Sequence, residues 1–146
     1  MRLIIHAPNI HQGGGKALLL PLLEAAGKKS PVTVLIDTRL EVPEDLSRAL
    51  TVIRVSPTIL GRLAGEWTLR RIAQATDTVL CFGNLPPLFR TKGRGIVFLQ
   101  NRYLVEGCDL AGFSLRIKLR LMSERLWLRL FNAHAETFIV QTKAMQ

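Results

Sequence analysis

Short apolar runs and longer segments of helical period take turns along this chain. The runs of strand length are Arg2 to His6, Val32 to Ile36, Thr51 to Val55, Thr78 to Phe82, Ile96 to Gln100 and Thr137 to Gln141. Between them, Lys16 to Gly27, Ile59 to Ala75 and a long stretch from about Ser114 to Ala135 carry helical spacing. That alternation predicts an α/β layered fold. Most of the runs are apolar throughout, as strands covered on both faces of a mostly parallel sheet should be. Gly27 followed by Lys28 and Lys29 is a helix C-terminal signal. Ligands of open parallel sheets sit beyond the carboxyl ends of the strands, which selects the loops at 7–15, 83–89 and 101–112 as one rim. No linker, repeat or low-complexity tract divides the chain.

The longest helical segment opens with Leu115-Arg116-Ile117-Lys118-Leu119-Arg120-Leu121, an alternation that imitates a strand. Its length and the following Met122-Ser123-Glu124-Arg125-Leu126-Trp127 favour a helix. Leu115, Leu119, Met122, Leu126 and Leu130 then form one stripe, and Ile117, Leu121 and Leu128 a second, with Lys118, Arg125 and Arg129 between them. One stripe can face the sheet. The other is left for an anionic membrane interface, with Arg116, Lys118, Arg120, Arg125 and Arg129 as its charges and Trp127 at the interface, or for another segment of protein.

Candidate chemistry gathers on the rim. Leu3-Ile4-Ile5 leads into Gly13-Gly14-Gly15-Lys16 and then Ala17-Leu18-Leu19-Leu20, an anion site in outline. Glycines let a ligand approach the backbone, the free N–H groups and dipole of a helix start favour negative charge, and Lys16 adds a point charge. A bare tight turn fits the same residues. The spacing is not that of a P-loop, since Ile10 and Ala17 stand where Gly and Ser or Thr are needed. Nor is it a dinucleotide fingerprint, because Leu18 occupies the third glycine position. After Phe82, Asn84 is a ligand contact or the cap of its own turn. Val97-Phe98-Leu99 runs into Gln100-Asn101-Arg102-Tyr103, a polar group suited to hydroxyl-rich or phosphorylated ligands. Arg102 can equally pair with Glu106 or Asp109.

At 146 residues and 48% hydrophobic, the chain can bury one core. A net charge of +9 points to anionic partners, and residues 86–146, with ten Lys/Arg against four Asp/Glu, are more basic than residues 1–85, with ten against seven. Cys81 and Cys108 make no metal or redox spacing, and His6, His11 and His134 are scattered, so neither a metal site nor a cofactor is expected. Reduced thiols in the cytoplasm are the expectation. The N-terminus does not read as a signal peptide, and no apolar stretch is long enough to span a membrane. Nucleic-acid binding is disfavoured for want of interleaved aromatics or a reader motif.

Three segments together resemble a known family. Gly13-Gly14-Gly15-Lys16, then Gln100-Asn101-Arg102-Tyr103-Leu104-Val105, then Phe138-Ile139-Val140-Gln141-Thr142-Lys143-Ala144-Met145 look like the N-terminal domain of glycosyltransferase family 4, of the two-domain GT-B type, in their order and spacing. The resemblance implies a Rossmann-like three-layer domain on the acceptor side of a sugar transferase. It implies that Gly14 and Gly15 approach the sugar-nucleotide diphosphate and that the pair Gln100-Asn101 lies near the reacting sugars. The family often has His-Asn or His-Asp there, and a Gln cannot serve as a base. Family members bind the nucleotide in a second Rossmann-like domain carrying an E-x7-E motif, and no two glutamates here stand eight positions apart. The resemblance therefore implies a glycosyltransferase half, inactive alone. It would act on a nucleotide-sugar donor and a glycan or lipid-linked acceptor, in the cytoplasm or peripherally at the inner face of the cell membrane. The alternative is a noncatalytic module that uses its basic helix on an anionic membrane or an acidic partner.

Overall fold

The computed structural model describes residues 1–104 and 111–141. The six apolar runs become six strands: β1 (Leu3–Ala7), β2 (Val32–Asp37), β3 (Thr51–Val55), β4 (Thr78–Phe82), β5 (Arg94–Leu99) and β6 (Thr137–Val140). They form one sheet in the order β3-β2-β1-β4-β5-β6, and every neighbouring pair is parallel. The domain is α/β and Rossmann-like. Burial explains the strand composition, since Ile4, Ile5, Val34, Leu35, Ile36, Val79 and Val97 have no exposed surface. Each such aliphatic side chain contributes roughly 1.5–3 kcal/mol through burial.

Successive strand residues face opposite layers, which sorts the core into two clusters. Ile5, Ala7, Val34, Ile36 and Phe82 pack with Leu19 and Leu23 of α1 (Gly13–Gly27), joined by Leu46 of α2 (Glu44–Ala49). Ile4, Leu35, Cys81, Val97 and Leu99 face the other way, onto Leu69 of α3 (Ile59–Ile72) and Leu128 of α4 (Leu115–Phe131). The short α2 was not expected from the sequence; its polar Glu44-Asp45-Leu46-Ser47-Arg48 carries too little periodicity. The chain steps from β3 to β4 across β2 and β1, so the direction of strand addition reverses between β1 and β4. Crevices at such a reversal, outside the carboxyl ends, are where ligands of this fold bind.

No helix follows β4. Residues 83–93 instead lie between α3 and α4, clamped from both sides. Glu66 accepts a hydrogen bond from the Leu88 N–H (2.8 Å), Trp127 Nε1 donates to the Pro86 carbonyl (2.9 Å) and His134 Nδ1 to that of Pro87 (2.9 Å). Trp67 meets Phe89 edge-on at 5.7 Å. Among the described residues no helix is long and apolar enough to cross a membrane.

Candidate functional site

The glycine triplet belongs to the first turn of α1 rather than to a loop before it. Gly13 has φ +67°, a conformation that a β-carbon disfavours, and a Cβ at Gly13 or Gly14 would meet nothing within 4 Å. Gly15 differs. A Cβ there would stand 2.8 Å from Ile10 Cδ1, so its smallness serves packing of the β1–α1 connection. Gln12 at the N-cap makes no side-chain bond to the helix, which leaves the first-turn N–H groups without a side-chain cap beside two glycines open to approach. Lys16 sits one residue further into the helix and is half-buried.

Asn84 unites two of the expected rim segments. It is the one non-glycine residue with positive φ (71°) among the described residues. Its Oδ1 accepts from the backbone N–H of both Gln100 (2.6 Å) and Asn101 (2.9 Å). An amide in the left-handed conformation thus ties the end of β4 to the end of β5. Its oxygen is committed to backbone, which makes Asn84 an organiser of the rim. Asn101 in turn accepts from the Tyr103 N–H through its own Oδ1 (3.1 Å), starting a single 3-10 turn over Arg102–Leu104. The amide nitrogen of Gln100 is buried and finds no partner among the described residues. Arg102 is exposed, with its guanidinium 5.7 Å from the Tyr103 ring centre. Glu106 and Asp109, its expected partners, lie outside the described residues, as do Cys108 and Thr142 to Met145.

A cavity of about 230 Å3 opens at the reversal point, with His6, Asn9, Arg62, Glu66, Pro86 and Trp127 in its lining. It is smaller than pockets for drug-sized ligands, about 300–1,000 Å3, and suits a single small ring. His6 ends the β1 face that looks onto α3, and its Nε2 lies 3.5 Å from Glu66 Oε1. Burial first, and the nearby Arg62 second, lower the imidazole to about 3, so it is neutral. Burial also lifts Glu66 to about 7, against a smaller opposing pull from the Leu88 N–H. The pair is therefore not an ion pair. It is a neutral imidazole facing a carboxyl that changes charge near neutrality, a setting found at sites that bind or move protons. His6 Nε2 is itself buried without a hydrogen-bond partner among the described residues.

Arg62 belongs to a second cluster on the cavity wall. Asp37, at the carboxyl end of β2 and fully buried, accepts two bonds from the Arg39 guanidinium (2.9 and 2.8 Å), one from the Arg39 N–H (2.9 Å) and one from Arg62 (3.0 Å). Arg62 also donates to the Pro8 carbonyl, which joins α3 to the loop after β1. The Arg39 hydrogen bond is the main reason Asp37 is held down at about 2. In dinucleotide-binding domains an acid at this strand end receives a ribose hydroxyl. Here its oxygens are taken up by two arginines, and the fingerprint glycine is Leu18. Comparison with family models, with curated proteins and with solved structures finds no match.

The residues expected at a membrane divide. Arg116, Arg120 and Arg129 are exposed, Arg120 pairs with Glu124 (2.8 Å), and Lys118 reaches the Ala111 carbonyl (3.2 Å). Arg125 turns inward, its Nε donating to the Tyr103 carbonyl (2.8 Å). Trp127 lines the cavity, and its ring lies tilted against Phe131 with centroids 5.1 Å apart. His6, Asp37, Arg62 and Glu66 were not singled out from the sequence. A polar residue closing an apolar run was the available signal for His6 and Asp37. Nothing local marks Glu66, whose partner is sixty positions away.

Proposed function

We propose that this domain is the acceptor-side half of a retaining glycosyltransferase, working in the cytoplasm on a nucleotide-sugar donor and a glycan or lipid-linked acceptor. One observation carries the reading: the glycine turn and the Gln100-Asn101 segment, both named by the family resemblance, stand at the carboxyl ends of β1 and β5, with β4 and Asn84 between them. The open face of Gly13 and Gly14 suits a diphosphate, since uncapped N–H groups at a helix start favour an anion. The adjoining cavity suits an acceptor ring, with the Glu66 carboxyl available to a hydroxyl and the Trp127 ring as an apolar wall. The two arginines that occupy Asp37 argue against a nicotinamide dinucleotide as the occupant.

The test is release of nucleoside diphosphate from a panel of nucleotide sugars, with the chain produced together with the nucleotide-binding domain that the reading requires. Gly14→Val is the informative variant, because a β-carbon there meets nothing within 4 Å. Turnover should fall at least about tenfold, roughly 1.4 kcal/mol of transition-state stabilisation, with the melting temperature unchanged. A folded Gly14→Val protein with the wild-type rate, or no turnover on any nucleotide sugar, would refute the reading.

A further inference from the structure

The structure decides which stripe of α4 the sheet uses. Leu121 is buried and Leu128 packs into the core cluster beneath β4 and β5. The other stripe faces away. Leu115 is 73% exposed, Leu119 59%, Met122 58%, Leu126 56% and Leu130 64%. At about 1.5 Å per residue these five make an apolar line roughly 22 Å long. Isolated exposed leucines need no explanation, whereas a continuous line on one helix does.

We propose that this face of α4 is the surface by which the protein docks on an anionic lipid bilayer, the helix lying flat with its free stripe among the acyl chains. The flanks choose the occupant. On a helical projection Arg116 and Arg120 border the stripe on one side and Lys118 and Arg129 on the other, with Glu124 the single acid of the helix. A protein partner covering the leucines would have to pair or bury Arg116, Lys118 and Arg129 on its two sides, beside an Arg120 already paired with Glu124. Anionic headgroups meet both sides at once, while the arginine and lysine stems lie along the apolar boundary and hold their charges at headgroup level. Trp127 plays no part, being hydrogen-bonded to Pro86 on the cavity side. The inference rests on the proposed function only for the membrane-borne acceptor. The vesicle experiment needs no turnover, so either can fail alone.

Co-sedimentation with vesicles of phosphatidylcholine alone, or with a third phosphatidylglycerol, is the test. Binding should require the anionic lipid and weaken as salt rises from about 50 to about 500 mM, because exposed charges are screened. Arg116→Gln with Arg129→Gln removes two cations that make no ion pair among the described residues, and should weaken partitioning roughly 25-fold at about fivefold per basic residue. Leu119→Ser with Leu126→Ser should weaken it roughly tenfold or more by removing apolar insertion. Circular dichroism should show both variants folded, since all four side chains are exposed. No sedimentation with either vesicle, equal sedimentation with both, or indifference to both double variants overturns the inference. So does a wild-type dimer that the Leu119/Leu126 variant converts to monomer, which would make a second copy the occupant.

Discussion

Replacing Glu66 by Gln isolates the least ordinary ionisation in the molecule. The carboxyl is 13% exposed and is raised from 4.5 to about 7, mainly by burial. The unfolded chain therefore gives up this proton first as pH rises. Stability from the neutral carboxyl is complete below 4.5, declines as pH climbs through 7 and is level beyond it. Between pH 5 and pH 8 the wild type should lose roughly 2 to 3 kcal/mol from this group, because each tenfold change in acidity is worth about 1.4 kcal/mol. The neutral Gln is nearly isosteric, keeps an oxygen for the Leu88 N–H and does not titrate. His6, lowered to about 3, works in the opposite sense: its contribution is lost as pH falls from 6.5 toward 3. That loss is common to both proteins and cancels in their difference. Urea unfolding of wild type and Glu66→Gln at pH 5, 6, 7 and 8 reads the effect directly. The variant should gain on the wild type by roughly 2 to 3 kcal/mol across the series. A difference that stays flat within about 0.5 kcal/mol would mean that Glu66 ionises as it does in water, and would refute the account of the cavity as desolvated.

Two further outcomes test the organisation of the rim. Asp37→Ala leaves Arg62 partly buried without its carboxylate and should cost about 3 to 5 kcal/mol in urea unfolding, most of it from Arg62, since the Arg39 side chain is 49% exposed. The wild type should lose the Asp37 contribution only as pH falls from 3.8 toward 2. Asn84→Ala removes the acceptor for two N–H groups and leaves a β-carbon at φ 71° with no amide to offset it; a loss of roughly 2 to 4 kcal/mol is expected in the same assay. Asn84→Gly, which loses the same bonds but relieves the backbone, should lose less, and the reverse ranking would show that the left-handed conformation at this position contributes little to the loss.

The layers were legible from the residues alone. Six apolar runs and three of the four helices stand out because burial on both sheet faces leaves an unbroken hydrophobic signature, and because helical period persists over many residues. The rim was legible too, as glycines and amides placed just after strands. Boundaries moved by a few residues where hydrogen bonding overrode composition: α1 begins within the glycines, and the helix expected to reach Ala135 stops at Phe131 before a 3-10 turn. The remainder needed the fold. A parallel sheet does not announce its strand order, so the placing of β4 beside β1 was needed to bring His6 against Glu66 and Asp37 against Arg62. Both stripes of α4 are apolar in sequence, the free one with more residues, and it is the packing of Leu121 and Leu128 that settles which one faces the sheet. Ionisation followed the same rule. Glu66 reads as an ordinary surface acid until the fold takes it out of water, and it is that loss of hydration, a property of no single residue, that shifts its charge to neutral pH.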